Sequence, residues 1–177
     1  MSGDSMKLLV IGHARHGKDT VCEILQRNHG LKFASSSHFV GKEVVWERLK
    51  GFYPNFETMF DDRSNHRALW KDLIAQYCAD NPARTAEEML DAGFDVYCGM
   101  RARREFKAAR LLFDAALWVD RSNCLPSEPW NSMELSIGDA DFVVVNDGNL
   151  ARLEAEVAAV YSECETRVSH CQPKMGL

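Results

Sequence analysis

The stretch from Gly12 to Thr20 constrains this sequence more than any other. It reads Gly-His-Ala-Arg-His-Gly-Lys-Asp-Thr, follows the apolar run 7–11 and precedes a segment whose apolar residues recur at helical spacing. A glycine-bracketed loop between a strand and a helix turns backbone N–H groups inward, and the helix start adds partial positive charge. We therefore predict a phosphate-binding loop. The alternative, a glycine turn that binds nothing, leaves the lysine and the flanking pattern unexplained.

The whole loop is expected to hold the nucleotide, with its lysine on the terminal phosphates. The usual serine or threonine directly after that lysine is replaced by Asp19, and Thr20 stands one place later. Asp19 is expected to approach Mg²⁺ directly or through water, with Thr20 on the metal or a phosphate oxygen. The predicted nucleotide-binding residues of the loop are Gly12, His13, Ala14, Arg15, His16, Gly17, Lys18, Asp19 and Thr20.

Composition limits the remaining possibilities. The chain has 177 residues, enough for one domain with a full core. Its formal net charge of −5 means that any nucleic-acid contact needs a local basic face. Its six cysteines form no CxxC pair and no zinc-like spacing, which favours reduced thiols. Without a signal segment or a run of ~20 apolar residues, the chain is expected in the cytoplasm.

Five short apolar runs alternate with helical patterns, which predicts an α/β fold with a five-stranded parallel sheet flanked by helices. We expect a flexible N-terminus at 1–6, one domain at 7–164 and a flexible C-terminal tail at 165–177. The segment 121–136 is rich in proline, serine and asparagine, and it is long for a connection inside a domain. Such loops often act as lids.

Further candidate residues follow the predicted strands, where ligands collect in parallel sheets. Ser36 and Ser37 follow the second strand, either to meet a substrate or only to cap a helix. Arg101 follows the third strand, and Asp120 closes the fourth. The sequence leaves Asp120 open between a partner for Mg²⁺ and a loop carboxylate paired with Arg121.

A second polar cluster begins at Asp62. On a continuous α-helix, Arg63, His66 and Arg67 are three and four residues apart and share one face. Two guanidinium groups and an imidazole on one face suit a phosphate or nucleotide acceptor. The alternative is a solvated helix start.

These motifs resemble a bacteriophage family of P-loop kinases. The resemblance covers roughly residues 7–162 and is carried by the Gly-Lys-Asp-Thr form of the loop, Asp-Arg-x-x-His-Arg at 62–67, Gly-Met-Arg at 99–101 and an Asn-x-Gly turn at 146–148. It implies a P-loop kinase fold and ATP with Mg²⁺ on the loop. It also implies an acceptor side with Arg63, His66, Arg67 and Arg101, a lid after Asp120, and Asn146 and Gly148 near adenine.

Within that family the acceptor is either a deoxynucleoside monophosphate or 5-hydroxymethyluracil in phage DNA. An alcohol acceptor benefits from a general base, and Asp62, Asp120 and Asp19 are candidates. The branch resemblance and the basic run 101–110 favour the DNA kinase, whereas the acidic net charge opposes it. The predicted catalytic residues are Lys18, Asp62, Arg63 and Arg101. A nucleotide-binding module without phosphotransfer is the third possibility.

Overall fold

A five-stranded parallel sheet forms the centre of the protein in a computed structural model that describes residues 5–171. The strands are β1 (Leu8–Ile11), β2 (Phe33–Ser35), β3 (Val96–Cys98), β4 (Ala115–Asp120) and β5 (Phe142–Val145). Their order across the sheet is β2-β3-β1-β4-β5, and every pairing is parallel. All carboxyl ends therefore lie at one edge, and the loop after the central strand β1 opens there. This confirms the predicted fold class.

Helices cover the sheet and fill most connections. They are α1 (Lys18–His29), α2 (Ser36–Val40), α3 (Trp46–Leu49), α4 (Phe56–Asp61), α5 (Arg67–Tyr77), α6 (Arg84–Asp91), α7 (Arg103–Ala109) and α8 (Leu150–Cys171). A π-helical turn, Gly41–Val45, joins α2 to α3, and 3₁₀ turns span Asp62–His66, Arg110–Leu112 and Ile137–Asp139. No helix within residues 5–171 has the length and apolar character to cross a bilayer.

Two apolar layers cover the two faces of the sheet because successive strand residues point to opposite faces. Leu8 and Val10 of β1 pack with the inner stripes of α1 and α8. Leu9 and Ile11 pack on the other side, with residues from α6 and α7. A third, smaller cluster around Trp70 joins the helices between β2 and α6 and forms a separate helical wall.

The chain ends differ from the predicted boundaries. Instead of a flexible tail from residue 165, α8 continues to Cys171, and residues 172–177 lie outside the described residues. The last turns are anchored because Arg167 pairs with Asp141 at 3.0 Å. At the other end, residues 1–4 are outside the description, and Ser5 donates a hydrogen bond to Asp95.

Candidate functional site

The loop that follows β1 has a shape that its glycines make possible. Gly12 (φ +147°) and Gly17 (φ +95°) have positive φ angles, and so does Arg15 (φ +63°). A Cβ atom on Gly12 would lie 2.6 Å from the carbonyl oxygen of Val119, and one on Gly17 would collide with the side-chain amide of Asn146. The glycine spacing seen in the sequence is therefore a steric requirement of the loop.

The loop ends at the first turn of α1, where the donors for an anion gather. Gly17 is the N-cap and supplies no side-chain hydrogen bond, so the first N–H groups of the helix have no side-chain cap. Lys18 Nζ donates to the carbonyl oxygen of His13 at 2.7 Å. Burial lowers the pKa of Lys18, and the nearby Arg101 guanidinium lowers it further. Lys18 and Arg101 thus line one cleft beside the uncapped start of α1, an arrangement that suits an anion.

Two buried side chains hold this loop to the ends of β4 and β5. Asn146 Nδ2 donates to the carbonyl oxygen of His16 at 2.9 Å. The buried His16 ring accepts a hydrogen bond at Nδ1 from the backbone N–H of Arg121, at 3.0 Å. The resemblance implied Asn146 and Gly148 near adenine. The structure gives the Asn146 amide to the loop, and Gly148 lies exposed beside Arg152 in the turn before α8.

A cleft of about 860 Å³ opens from the loop across the carboxyl ends of β2 and β3. It brings together residues that the sequence analysis assigned separately to the donor and to the acceptor. The predicted site residues that line the cleft are Ala14, Arg15, Lys18, Asp19, Ser36, Ser37, Arg63 and Arg101. One cavity therefore joins the phosphate loop to the predicted acceptor side.

Part of the second polar cluster lies outside this cleft. Residues Asp62–His66 form a 3₁₀ turn and α5 begins only at Arg67, so the expected single α-helical face does not exist. Arg63 lines the cleft, whereas His66 and Arg67 are not among its lining residues.

Asp62, the expected general base, is also absent from the cleft lining. Its carboxylate accepts hydrogen bonds from Tyr53 Oη and Asn65 Nδ2, both at 2.6 Å, and lies 3.0 Å from His66 Nε2. The bonds from Tyr53 and Asn65 lower the pKa of Asp62. The structure therefore gives this carboxylate a local structural role.

The predicted metal ligands are divided between two cavities. Asp19 lines the main cleft, whereas Asp120 lines a second cavity of about 410 Å³ and accepts a hydrogen bond from the backbone N–H of Ser122 at 3.0 Å. Thr20, in the first turn of α1, lines neither. Within residues 5–171 no three His, Cys, Asp or Glu side chains form a metal cluster. Mg²⁺ on a nucleotide needs only one or two carboxylates besides phosphate and water, and Asp19 fits that requirement.

A half-buried carboxyl in the cleft was missed by the sequence analysis. Glu105 of α7 lines the cleft and accepts a hydrogen bond from the hydroxyl of Tyr97. Burial raises the pKa of Glu105, and the hydrogen bond from Tyr97 opposes that rise only in part. Its position in the first turn of the helix that follows Arg101 was a usable signal, but the surrounding basic residues suggested a solvated helix face.

The long loop 121–136 also contributes a residue that the sequence did not indicate. Glu128 Oε2 accepts a hydrogen bond from the backbone N–H of Ala14 at 2.5 Å, and Oε1 accepts one from Arg101 Nη1 at 2.7 Å. A single glutamate in a polar loop carries no pattern that would identify it. A carboxylate on the Ala14 N–H nevertheless shows that the loop can hold an anion.

Known proteins are similar to this chain in fold alone. No protein-family model and no curated protein matches this chain. Among solved structures it is similar to a shikimate kinase from Bacteroides thetaiotaomicron, at 10% identity and a TM-score of 0.51 over 90% of this chain and 98% of that one. It is also similar to TT1252 from Thermus thermophilus, at 16% identity and a TM-score of 0.50 over 91% and 98%. The chain thus shares the fold of these structures, with its five-stranded parallel sheet flanked by helices, and the resemblance to the phage branch stays a prediction.

Removing the Asn146 amide tests the support of the loop. Asn146→Ala deletes a buried hydrogen bond to the His16 carbonyl, so we expect a loss of about 1–3 kcal/mol in the free energy of unfolding, together with weaker nucleotide binding. Urea denaturation and calorimetry measure the two effects. Asn123→Ala, at an exposed position of the 121–136 loop, is the control. Unchanged stability and affinity in Asn146→Ala would contradict this role.

Because folding raises the pKa of Glu105, we expect the free energy of unfolding to depend on pH. A carboxyl whose pKa is raised by folding stabilises the fold fully below its unfolded pKa, and this contribution is lost as the pH rises through the folded pKa. We expect the free energy of unfolding of the wild type to fall, relative to that of Glu105→Gln, as the pH rises above about 4 and through the raised pKa of Glu105. Denaturant titrations at successive pH values measure it, with Glu57→Gln as an exposed control. Parallel curves for wild type and Glu105→Gln would refute it.

Proposed function

We propose that this chain is an ATP-dependent phosphotransferase. The observation that carries the proposal is the single cleft, in which Lys18 of the phosphate loop, Arg101 after β3 and Arg63 of the helical wall line one cavity. A kinase needs its donor and acceptor in one enclosed space with cations around the group that moves. The P-loop kinase fold agrees with this reading.

The roles follow from position and charge. The backbone N–H groups of the loop and the first turn of α1 would bind the donor phosphates, with Lys18 on the terminal ones. Asp19, exposed at the loop edge, would hold Mg²⁺ through water. Arg101 and Arg15, which line the same cleft, would neutralise charge on the phosphoryl group during transfer. Bound Mg²⁺ supplies further charge neutralisation between donor phosphates.

The acceptor end of the cleft suits a nucleotide. Its wall contains the aromatic side chains of Phe33, Phe60, Phe94 and Tyr97. Arg63 lies over the Phe60 ring, with its Cζ atom 4.0 Å from the ring centroid, and this exposed guanidinium faces an aromatic-lined space. Aromatic faces accommodate a base, and a guanidinium suits a phosphate. We therefore propose a deoxynucleoside monophosphate as the first candidate acceptor.

This order differs from that of the sequence analysis because most arginines of the 101–110 run are engaged. Arg103 pairs with Asp139, Arg110 pairs with Asp141 at 2.5 Å, and Arg101 pairs with Glu128 at 2.7 Å. Paired guanidinium groups add little net attraction for a DNA backbone. The support that this run gave to a DNA substrate is correspondingly weaker.

5-Hydroxymethyluracil in DNA is the second candidate, supported by Glu105 and by the family resemblance. A hydroxymethyl acceptor must lose a proton, and a carboxyl whose pKa is raised by burial is a better proton acceptor than one on the surface. A phosphate acceptor has no such need. Glu105, which lines the cleft, takes over from Asp62 as the candidate base for this reaction.

Offering several acceptors in parallel tests the proposal. Labelled ATP is supplied with each deoxynucleoside monophosphate, with 5-hydroxymethyluracil DNA and with ordinary DNA, and we expect label on a monophosphate. Lys18→Ala should lower transfer about a hundredfold or more with the fold retained, because it removes a cation from the phosphates. Lys42→Ala, at an exposed position remote from the loop in sequence, is the matched control. ATP binding with no transfer to any acceptor would instead indicate a non-catalytic module.

The sequence placed both Arg63 and Arg67 on the acceptor side, whereas the structure places only Arg63 in the cleft lining, so substituting each in turn tests the assignment. Only Arg63 lines the cleft, so Arg63→Ala should raise the KM for the acceptor about tenfold while ATP affinity is unchanged. Arg67→Ala should behave like the wild type. Steady-state kinetics and calorimetry with an ATP analogue provide the measurements. Equal effects of the two substitutions, or a parallel loss of ATP affinity in Arg63→Ala, would count against this assignment.

A further inference from the structure

The carboxylate of Glu128 lies directly on the phosphate loop. One of its oxygens accepts from the Ala14 N–H at 2.5 Å, and the other accepts from Arg101 at 2.7 Å. Its backbone N–H donates to His13 Nδ1 at 3.2 Å, and Arg101 also donates to the carbonyl oxygen of Ser132 at 3.1 Å. The 121–136 loop is therefore joined to the phosphate loop by backbone N–H bonds to His13 and His16 and by one charged side chain, that of Glu128.

The surroundings of Glu128 are those of a bound anion. Burial alone would raise the pKa of Glu128, but the hydrogen bonds from Arg101 and Ala14 outweigh it and hold the pKa below its ordinary value. Lys18 acts in the same direction. A backbone N–H, a guanidinium and an ammonium group are also the three donors that phosphate-binding loops offer to a nucleotide.

We propose that Glu128 is a built-in competitor for the donor phosphates, and that its displacement releases Arg101 to them. The inference rests on the proposed function, since it assigns a phosphate to the same loop. Ala14 has one backbone N–H, and a carboxylate and a phosphate cannot share it without placing two anions in contact. When a phosphate replaces the Glu128 carboxylate at the Ala14 N–H, the ion pair between Arg101 and Glu128 is broken. Glu128 is thus a positioning residue that acts through Ala14 and Arg101.

A purely structural role for Glu128 makes the opposite prediction. If Glu128 only fastens the 121–136 loop, its loss would loosen the phosphate loop and weaken phosphate binding. If Glu128 competes, its loss removes an anion from the binding position and strengthens phosphate binding. The sign of the change in affinity therefore separates the two roles.

Calorimetric titration of Glu128→Gln with pyrophosphate and with a magnesium complex of a non-hydrolysable ATP analogue is the test. We expect both to bind about tenfold more tightly than to the wild type, because a neutral amide competes less well for charged donors. Glu134→Gln is the matched control. Glu134 is a carboxylate of the same loop that accepts from the backbone N–H of Arg103 at 2.7 Å, and its loss should leave both affinities unchanged. Equal or weaker binding by Glu128→Gln would overturn the inference.

Hydrogen exchange at the Ala14 amide provides a second readout that needs no nucleotide. Its exchange should be faster in Glu128→Gln, and also in Glu128→Asp, whose shorter side chain withdraws the carboxylate while keeping its charge. Unchanged exchange in both would contradict the contact. If Ala14 exchange changes but no variant binds the analogue, the proposed function fails and the competition fails with it. If the wild type binds and Glu128→Gln binds no more tightly, only the inference fails.

Discussion

The phosphate loop runs so close to β4 and β5 that its two glycines have no room for side chains. Gly12 lies against the Val119 carbonyl, and Gly17 lies against the side-chain amide of Asn146. That amide donates a hydrogen bond to a backbone carbonyl oxygen of the loop. The rest of the site depends on this close approach, because it fixes where the backbone N–H groups and Lys18 lie. The backbone of a loop held in this way needs little reorganisation to receive an anion, which is the main advantage of preorganised electrostatics.

The distribution of charge follows from the same geometry. The chain is acidic overall, and Arg103 and Arg110 are engaged by carboxylates away from the phosphate loop. Lys18 and Arg101 line the cleft beside the loop, and Arg101 pairs there with Glu128. Displacement of that one carboxylate by a phosphate would leave two cations beside the bound anion, which suits a small anionic ligand better than an extended polyanion.

Much of the fold was predictable from sequence because it depends on local patterns. Apolar runs and helical spacing predicted the five parallel strands, and the glycines with Lys18 predicted the loop and its position after β1. Ser36 and Arg101 were predicted near the ligand because they follow strand ends, and both line the cleft. Those two inferences needed only connectivity and the shared direction of parallel strands. Arg63 lines the same cleft, but its assignment came from the helix-face argument and the family resemblance.

The structure differs from the sequence-based expectations where tertiary contacts override local spacing. His66 and Arg67 were assigned to the acceptor on the assumption of a continuous α-helix, which the 3₁₀ turn interrupts. The last turns of α8 carry Arg167, which pairs with Asp141 just before β5, and no local pattern reveals that contact. The contacts of Glu128 and Glu105 depend on how a long loop and a helix fold over the sheet, and residue type alone carries no such information.

A crystal structure with the magnesium complex of a non-hydrolysable ATP analogue tests the central claim most directly. We expect the terminal phosphates on the backbone N–H groups around Ala14, with Lys18 Nζ moved from the His13 carbonyl onto a phosphate oxygen and Glu128 displaced. A nucleotide bound elsewhere, with the bonds of Lys18 and Glu128 unchanged, would contradict it.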